Sequence, residues 1–183
     1  MEKKTALFFK YYLLFMIFSF GGWLWEVIFC YVLDGAFYNR GFMSLPFCPI
    51  YGSCILMIFF LLGTPHDPRG ILKKVRKPAL RYFWYVVFAF SLPTLVELGI
   101  GIFFDQVLGI CEWSYAGLPL NLNGYICVPV SLGWTAALTL MMRFGFPPVK
   151  NLVFRIPDRA VCIVSIPLLF AMMFDLTDRF LTL

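Results

Sequence analysis

Glu26 and Glu97 each lie in a long, apolar, otherwise nearly uncharged stretch, where a carboxylate is out of place. A charged side chain halfway along a membrane-crossing helix costs roughly 2.5 to 3.5 kcal/mol on insertion scales, so its presence needs a reason. Glu26 lies four residues after Gly22 and four before Cys30, while Glu97 is spaced likewise from Pro93 and Gly101. Residues four apart share a helix face, and small residues on a face let a neighbouring backbone approach. Each carboxylate is thus expected to face another helix or a cavity. There it either locks the bundle through hydrogen bonds or binds a cation, a proton or an amine.

Other polar residues could complete such a site. Arg40, in Asn39-Arg40-Gly41, could fork onto a carboxylate with two hydrogen bonds, or it is a plain surface arginine. Trp113-Ser114-Tyr115 and Asn121-Leu122-Asn123-Gly124 combine aromatic rings with amides. Trp113 and Tyr115 read either as interfacial belt residues or, with Tyr51, as walls of a site. Asn121 and Asn123 read either as turn residues or as groups that orient a ligand. The candidate ligand-binding set is therefore Glu26, Arg40, Tyr51, Glu97, Trp113, Tyr115, Asn121 and Asn123. Gly22, Gly41, Cys48, Pro49, Gly52, Gly124 and Cys127 are the accompanying structural positions.

Several other chemistries lack their residues. The single His66 provides no haem pair or histidine metal triad, and the six cysteines contain no Cys-x-x-Cys. Cysteines in apolar surroundings usually act as small hydrophobes. Cys48 and Cys127 hold matching positions where a disulfide would be allowed, though nothing else in the sequence supports one. No metal site or cofactor is expected, and no catalytic residue is assigned. Neither a phosphate-cradling Gly-Lys-Ser loop nor a nucleophile elbow is present, so ATP hydrolysis would have to come from another chain.

The elements that must position these residues follow from composition. Of 183 residues, 61% are hydrophobic and 14% charged, against roughly 45–50% and about 25% in soluble domains. The apolar excess comes in long uncharged runs. This excludes a soluble enzyme, a disordered chain and a nucleic-acid-binding module, despite the net charge of +5. A span needs about 20 apolar residues, and the expected fold is an all-α integral membrane protein. Its single transmembrane domain, 1–183, has five spans, at about 7–33, 47–62, 82–104, 123–142 and 160–178. The first is too long for a removable signal peptide and lacks a small-residue cleavage site after it. The fifth either ends at Asp175 or continues with Asp178 and Arg179 turned away from lipid.

Charge orders the spans. The N-terminus, the loop between spans two and three and the loop between spans four and five hold thirteen of the fifteen basic residues. Only Arg40 and Arg179 fall on the other side, with seven of the ten acids; Glu2, Asp67 and Asp158 join the basic side. Short cytoplasmic loops carry the Lys and Arg excess, so the chain is expected to run N-in and C-out. The basic loop from Gly70 to Arg81 fixes this topology and attracts anionic headgroups, or it docks a cytosolic partner such as an ATPase subunit.

A repeat is also visible. Glu26, Asp34, Asn39-Arg40-Gly41 and Cys48-Pro49 are echoed by Glu97, Asp105, Asn123-Gly124, Cys127 and Pro129. Both stretches pair an ascending helix with a polar outer loop and a descending helix. They suggest a parallel repeat with halves 7–62 and 82–142.

These motifs resemble the type IV ABC-transporter membrane-protein family. The resemblance rests on Gly21-Gly22-Trp23-Leu24-Trp25-Glu26, Asn39-Arg40-Gly41-Phe42 and Cys48-Pro49-Ile50-Tyr51-Gly52 in the first half. In the second half it rests on Glu97, Trp113-Ser114-Tyr115, Asn121-Leu122-Asn123-Gly124-Tyr125-Ile126-Cys127 and Trp134. It covers roughly Phe18 to Trp134. The chain departs from the family's pattern at Ser114, where an aspartate usually precedes the tyrosine. The resemblance implies a small multi-span protein of the cell (inner) membrane, linked to an ABC-type ATPase.

The expected function is an ABC-type, permease-like transport component with an outward-facing polar site built on the two glutamates. Its expected surroundings are the lipid bilayer, a cytosolic ATPase subunit and a second copy in a homodimer, with no nucleic acid. Two alternatives stay open. One is an intramembrane enzyme or lipid-binding protein acting on a lipid headgroup, its carboxylates serving as acid and base. The other is a non-catalytic membrane assembly protein.

Overall fold

A computed structural model of the chain describes residues 3–182; Glu2 and the side chain of Asp34, both used above, lie outside the described residues. The fold is helical, as the composition demands. Helix α1 runs Lys3–Asp34, α2 Pro49–Leu62, α3 Pro78–Phe103, α4 Val128–Leu140, α5 Phe146–Arg155 and α6 Asp158–Leu181. A two-residue antiparallel hairpin, β1 (Asn121–Leu122) and β2 (Ile126–Cys127), precedes α4.

Among the described residues, three helical stretches are long and apolar enough to cross a membrane: Lys3–Val32, Pro78–Leu108 and Asp158–Leu181; Pro49–Leu62 is a shorter apolar helix. Their exposed surfaces make the same point. Phe170 and Phe174 of α6 are 72% and 76% exposed, an arrangement that water would penalise and lipid would not. This is a membrane protein.

The boundaries show where local chemistry overrides apolar runs. The apolar stretch from Asn123 predicts a helix start there, but α4 begins only at Val128. Asn123 and Gly124 have φ of 51° and 78°, and Tyr125 N–H donates to Leu122 O at 3.0 Å. That is the left-handed turn favoured by Asn-Gly, incompatible with a helix. Pro129 then sits in the first turn of α4, where its missing N–H costs nothing. The stretch between spans four and five, read as a loop, contains α5. Its buried Phe146 and Val153, seven residues apart, share one face and Arg155 lies on the other, as in an amphipathic helix. Between α4 and α5 the backbone forms a π-turn, Met141–Gly145. Helix α6 does not stop at Asp175 but continues to Leu181.

The chain divides into two compact units, residues 1–56 with 148–183, and residues 57–147. In the first, α1 packs against α6. Lys10 Nζ lies 2.7 Å from Asp158 Oδ1, with the Lys10 side chain only 14% exposed. The start of α2 approaches α1 so closely that a Cβ on Gly52 would stand 2.4 Å from Phe15 O and from Ser19 Oγ. In the second unit, α3 packs against α4, with Tyr85 and Ala89 buried on α3 and Thr135 and Thr139 on α4.

Candidate functional site

Glu26 sits in α1, one turn beyond Gly22. A Cβ on Gly22 would lie 2.2 Å from the Tyr51 ring, so the small residue is what admits this tyrosine to the helix surface. The Tyr51 hydroxyl donates to Glu26 Oε1 at 2.6 Å. Arg40 Nε stands 3.4 Å from the other carboxylate oxygen. It is close enough for an ion pair yet misaligned for a hydrogen bond, and this buried nitrogen has no hydrogen-bond partner among the described residues. The carboxylate is 25% and the Arg40 side chain 36% exposed. Glu26, Arg40 and Tyr51 are therefore together, with one firm and one loose contact on the carboxylate.

The loop carrying Arg40 is held by residues that apolar patterning had no means to assign. Trp23 Nε1 donates to Asn39 Oδ1 at 2.7 Å, and Asn39 Nδ2 donates to Ser44 O at 3.0 Å. From α6, Asp175 accepts the Ser44 and Leu45 backbone N–H groups at 3.2 and 2.9 Å, and Arg179 Nε donates to Phe42 O at 2.8 Å. Asp175 is buried at 6% exposure; its partners are backbone amides, which leave no mark on residue types. Gly41 follows Arg40 with φ of 88°, and Cys48 N–H donates to Ser19 O at 3.0 Å, which ties the loop's end, just before Pro49 and α2, to α1.

The second unit builds a comparable pair by another route. Glu97 lies on α3 one turn after Pro93, whose missing N–H interrupts the helical ladder. Its Oε1 accepts the Tyr115 hydroxyl at 2.9 Å. Tyr115 comes from the loop between α3 and α4, whereas Tyr51 comes from a helix. The loop is organised by the hairpin: Tyr115 N–H donates to Gly124 O at 2.8 Å, and Trp113 Nε1 to Tyr125 O at 2.9 Å. Asn121 uses its whole amide within the loop, donating to Leu118 O at 2.7 Å and accepting Gly124 N–H at 3.1 Å. Asn123 is a turn residue. With Trp113, Gly124, Tyr125, Asp105 and Glu112 it lines a cavity of about 120 Å³, which Glu97 and Tyr115 do not line. Tyr125 donates to Asp105 at the rim. The adjacent carboxylate holds this phenol in its neutral form, raising its pKa above the ordinary 10.0.

One detail recurs in both units. Cys48 donates its thiol to Arg40 O at 3.5 Å and Cys127 its thiol to Pro119 O at 3.3 Å, each acceptor eight residues upstream. Both residues are buried, and no disulfide forms among the described residues. In each unit a buried thiol immediately before a helix braces the preceding loop.

A family model described as "Putative ABC-transporter type IV" matches residues 13–180. The match extends well past Trp134 and takes in α6 with Asp175 and Arg179. No solved structure matches the chain.

Proposed function

We propose a transport role for this chain, because it belongs to the type IV ABC-transporter family. It would act as a five-span, N-in and C-out component of the cell membrane, with ATP hydrolysis supplied by a separate subunit. The polar groups that would meet a ligand are built on Glu26 and on Glu97, each within its own unit.

The observation that carries this reading is the asymmetry at Glu26. Tyr51 grips one oxygen at 2.6 Å, while Arg40 sits at 3.4 Å from the other without a hydrogen bond. A charge-assisted hydrogen bond between N and O normally settles at about 2.7–2.9 Å. The arginine therefore neutralises the carboxylate without saturating it. A protonated amine or a small cation could replace the guanidinium on Oε2 while Tyr51 keeps its hold on Oε1. Arg40 is then a resident counter-ion that yields to the ligand, and the empty site is never left with a bare charge near lipid.

A structural role for the same groups draws support from the fact that both Glu26 oxygens already have neighbours. Glu26→Gln and Glu97→Gln separate the two readings. Proteins that fold and reach the membrane but no longer take up or bind an organic cation would support the site. Proteins that fail to assemble, or that fold and transport unchanged, would count against it. Purification from native membranes should recover an ATPase subunit with the wild-type chain, and its absence would count against the ABC-type role.

A further inference from the structure

The opposite, basic end of the second unit holds a cavity that the transport reading does not use. It measures about 170 Å³ and is lined by Thr64, His66, Pro78, Arg81, Tyr85 and Arg143 among others. No Asp or Glu is among its lining residues. The nearest acid in sequence, Asp67, is engaged instead by Arg69 at 3.5 Å.

The local folding explains why these groups converge. Helix α2 ends at Leu62, and Gly63 then adopts φ of 79°. A Cβ there would stand 2.2 Å from Asp67 O, so the chain doubles back only because the residue is glycine. Thr64 N–H donates to Asp67 O, and Asp67 N–H to Thr64 Oγ1, both at 3.0 Å. Arg69 N–H closes the turn on Leu62 O at 2.7 Å. This strap sets Thr64 and His66 beside the start of α3. Pro78 opens α3, Arg81 lies in its first turn, and Tyr85 follows Arg81 by four residues on the same face. Arg143 arrives from the π-turn Met141–Gly145. Such turns displace side chains from regular helical positions and recur at functional sites.

Tyr85 gives the second, independent sign. It is 1% exposed, and its hydroxyl has no hydrogen-bond partner among the described residues. Buried hydroxyls are nearly always satisfied, and leaving one unmade is costly. This one belongs to a cavity wall that also carries two guanidiniums and an imidazole. The N-terminus of α3 adds its positive dipole end on the same side. The two guanidiniums, the helix dipole end and the unpartnered hydroxyl together suit an oxyanion.

We infer that the cavity between Thr64–His66, Arg81, Tyr85 and Arg143 binds a phosphate group, with the Tyr85 hydroxyl donating to one oxygen and the two arginines to the others. The same chemistry is offered by inorganic phosphate and by the headgroup of an anionic phospholipid at the basic membrane surface. The volume exceeds what one water needs and suits a tetrahedral oxyanion.

The test uses the full chain. In an uncharged detergent, binding of inorganic phosphate is followed by ³¹P NMR. In nanodiscs of phosphatidylcholine doped with phosphatidylglycerol, retained lipid is counted by native mass spectrometry. The double variant Arg81→Gln with Arg143→Gln should weaken phosphate or phosphatidylglycerol binding at least tenfold. The control Lys73→Gln with Lys74→Gln, which removes equal charge from exposed positions beside the cavity, should change it less than threefold. Tyr85→Phe, which deletes only the unpartnered hydroxyl, should weaken binding about fivefold at unchanged helix content. Binding of inorganic phosphate identifies free phosphate as sufficient, and retention of phosphatidylglycerol alone identifies the lipid headgroup. Binding of neither, or equal loss in the lysine control, overturns the inference. If the double arginine variant does not fold, Tyr85→Phe decides alone, and undiminished binding overturns it.

Discussion

The carboxylate of Asp175, near the end of the last helix, accepts the backbone N–H of Leu45, in the first polar loop, at 2.9 Å. It accepts the Ser44 N–H as well and is buried. A hydrogen bond to a charged group is worth about 1.5–3 kcal/mol, and these two are partly buried. Asp175→Ala should therefore destabilise the protein by about 2 kcal/mol, read as a lower Tm in detergent. Hydrogen exchange should rise selectively at Ser44 and Leu45. A loss of Tm without that local exchange would show that the two amides are held by something else.

Arg40 distinguishes a yielding counter-ion from a fixed brace. With Arg40→Gln, affinity for an organic cation at Glu26 should rise severalfold, because the competing guanidinium has gone. Equilibrium binding of a small quaternary ammonium probe measures this. A fall in affinity would assign Arg40 a direct role in holding the ligand.

Two adjacent glycines make an internal control. A methyl group on Gly22 would collide with the Tyr51 ring, whereas one on Gly21 would meet nothing within 4 Å. Gly22→Ala should cost about 1–3 kcal/mol, the usual range for overpacking, and should break the Tyr51–Glu26 hydrogen bond. Gly21→Ala should be neutral or stabilising by up to about 1 kcal/mol, the helix-propensity difference. Thermal unfolding of both variants, with Tyr51→Phe as the reference for the lost bond, checks the pair.

Lys10 and Asp158 join α1 to α6 at 2.7 Å, with one partner nearly buried and the other half exposed. An exposed pair is worth about 0–1 kcal/mol, and burial of the lysine places this one towards the upper end. Lys10→Met and Asp158→Asn should each lower stability, and a double-mutant cycle should give a coupling of about 0.5–1 kcal/mol. Coupling indistinguishable from zero would leave Lys10 as a topology determinant alone.

Tyr125 supplies a pH dependence. Its hydrogen bond to the Asp105 carboxylate raises the phenol pKa above 10.0, so the folded value exceeds the unfolded one. Whatever stability the pair contributes is complete below pH 10 and is lost as pH rises through the folded pKa. Ultraviolet difference titrations of the wild type and of Asp105→Asn should differ by one tyrosine, which ionises late in the wild type and nearer 10.0 in the variant.

The legible part of this fold was whatever depends on residue type and spacing. Gly22 and Glu26 one turn apart mark a helix face open to a neighbour, and the neighbour is the Tyr51 ring. The left-handed turn at Asn123 and Gly124 was also written in the residues. It was obscured because the apolar run continues through it, and a polarity average does not register φ. Asp175 read as a candidate end of a span because a carboxylate near lipid looks prohibitive. Its actual partners are main-chain amides, which every residue possesses, so no pattern could point to them. The same holds for Cys48 and Cys127, whose acceptors are carbonyls of Arg40 and Pro119.

Asp175 and Arg179 are one helical turn apart, and between them they hold the stretch from Phe42 to Leu45. Two anchors on one face of a rigid rod leave the strand they grip no independent hinge. Rotation of α6 about its long axis must therefore drag this stretch with it, as a key turns a bolt, and Arg40 lies only two residues upstream. A spin label on α6 and another in the loop should report a single correlated motion. The terminal helix, furthest in sequence from Glu26, is thereby coupled to the guanidinium beside it.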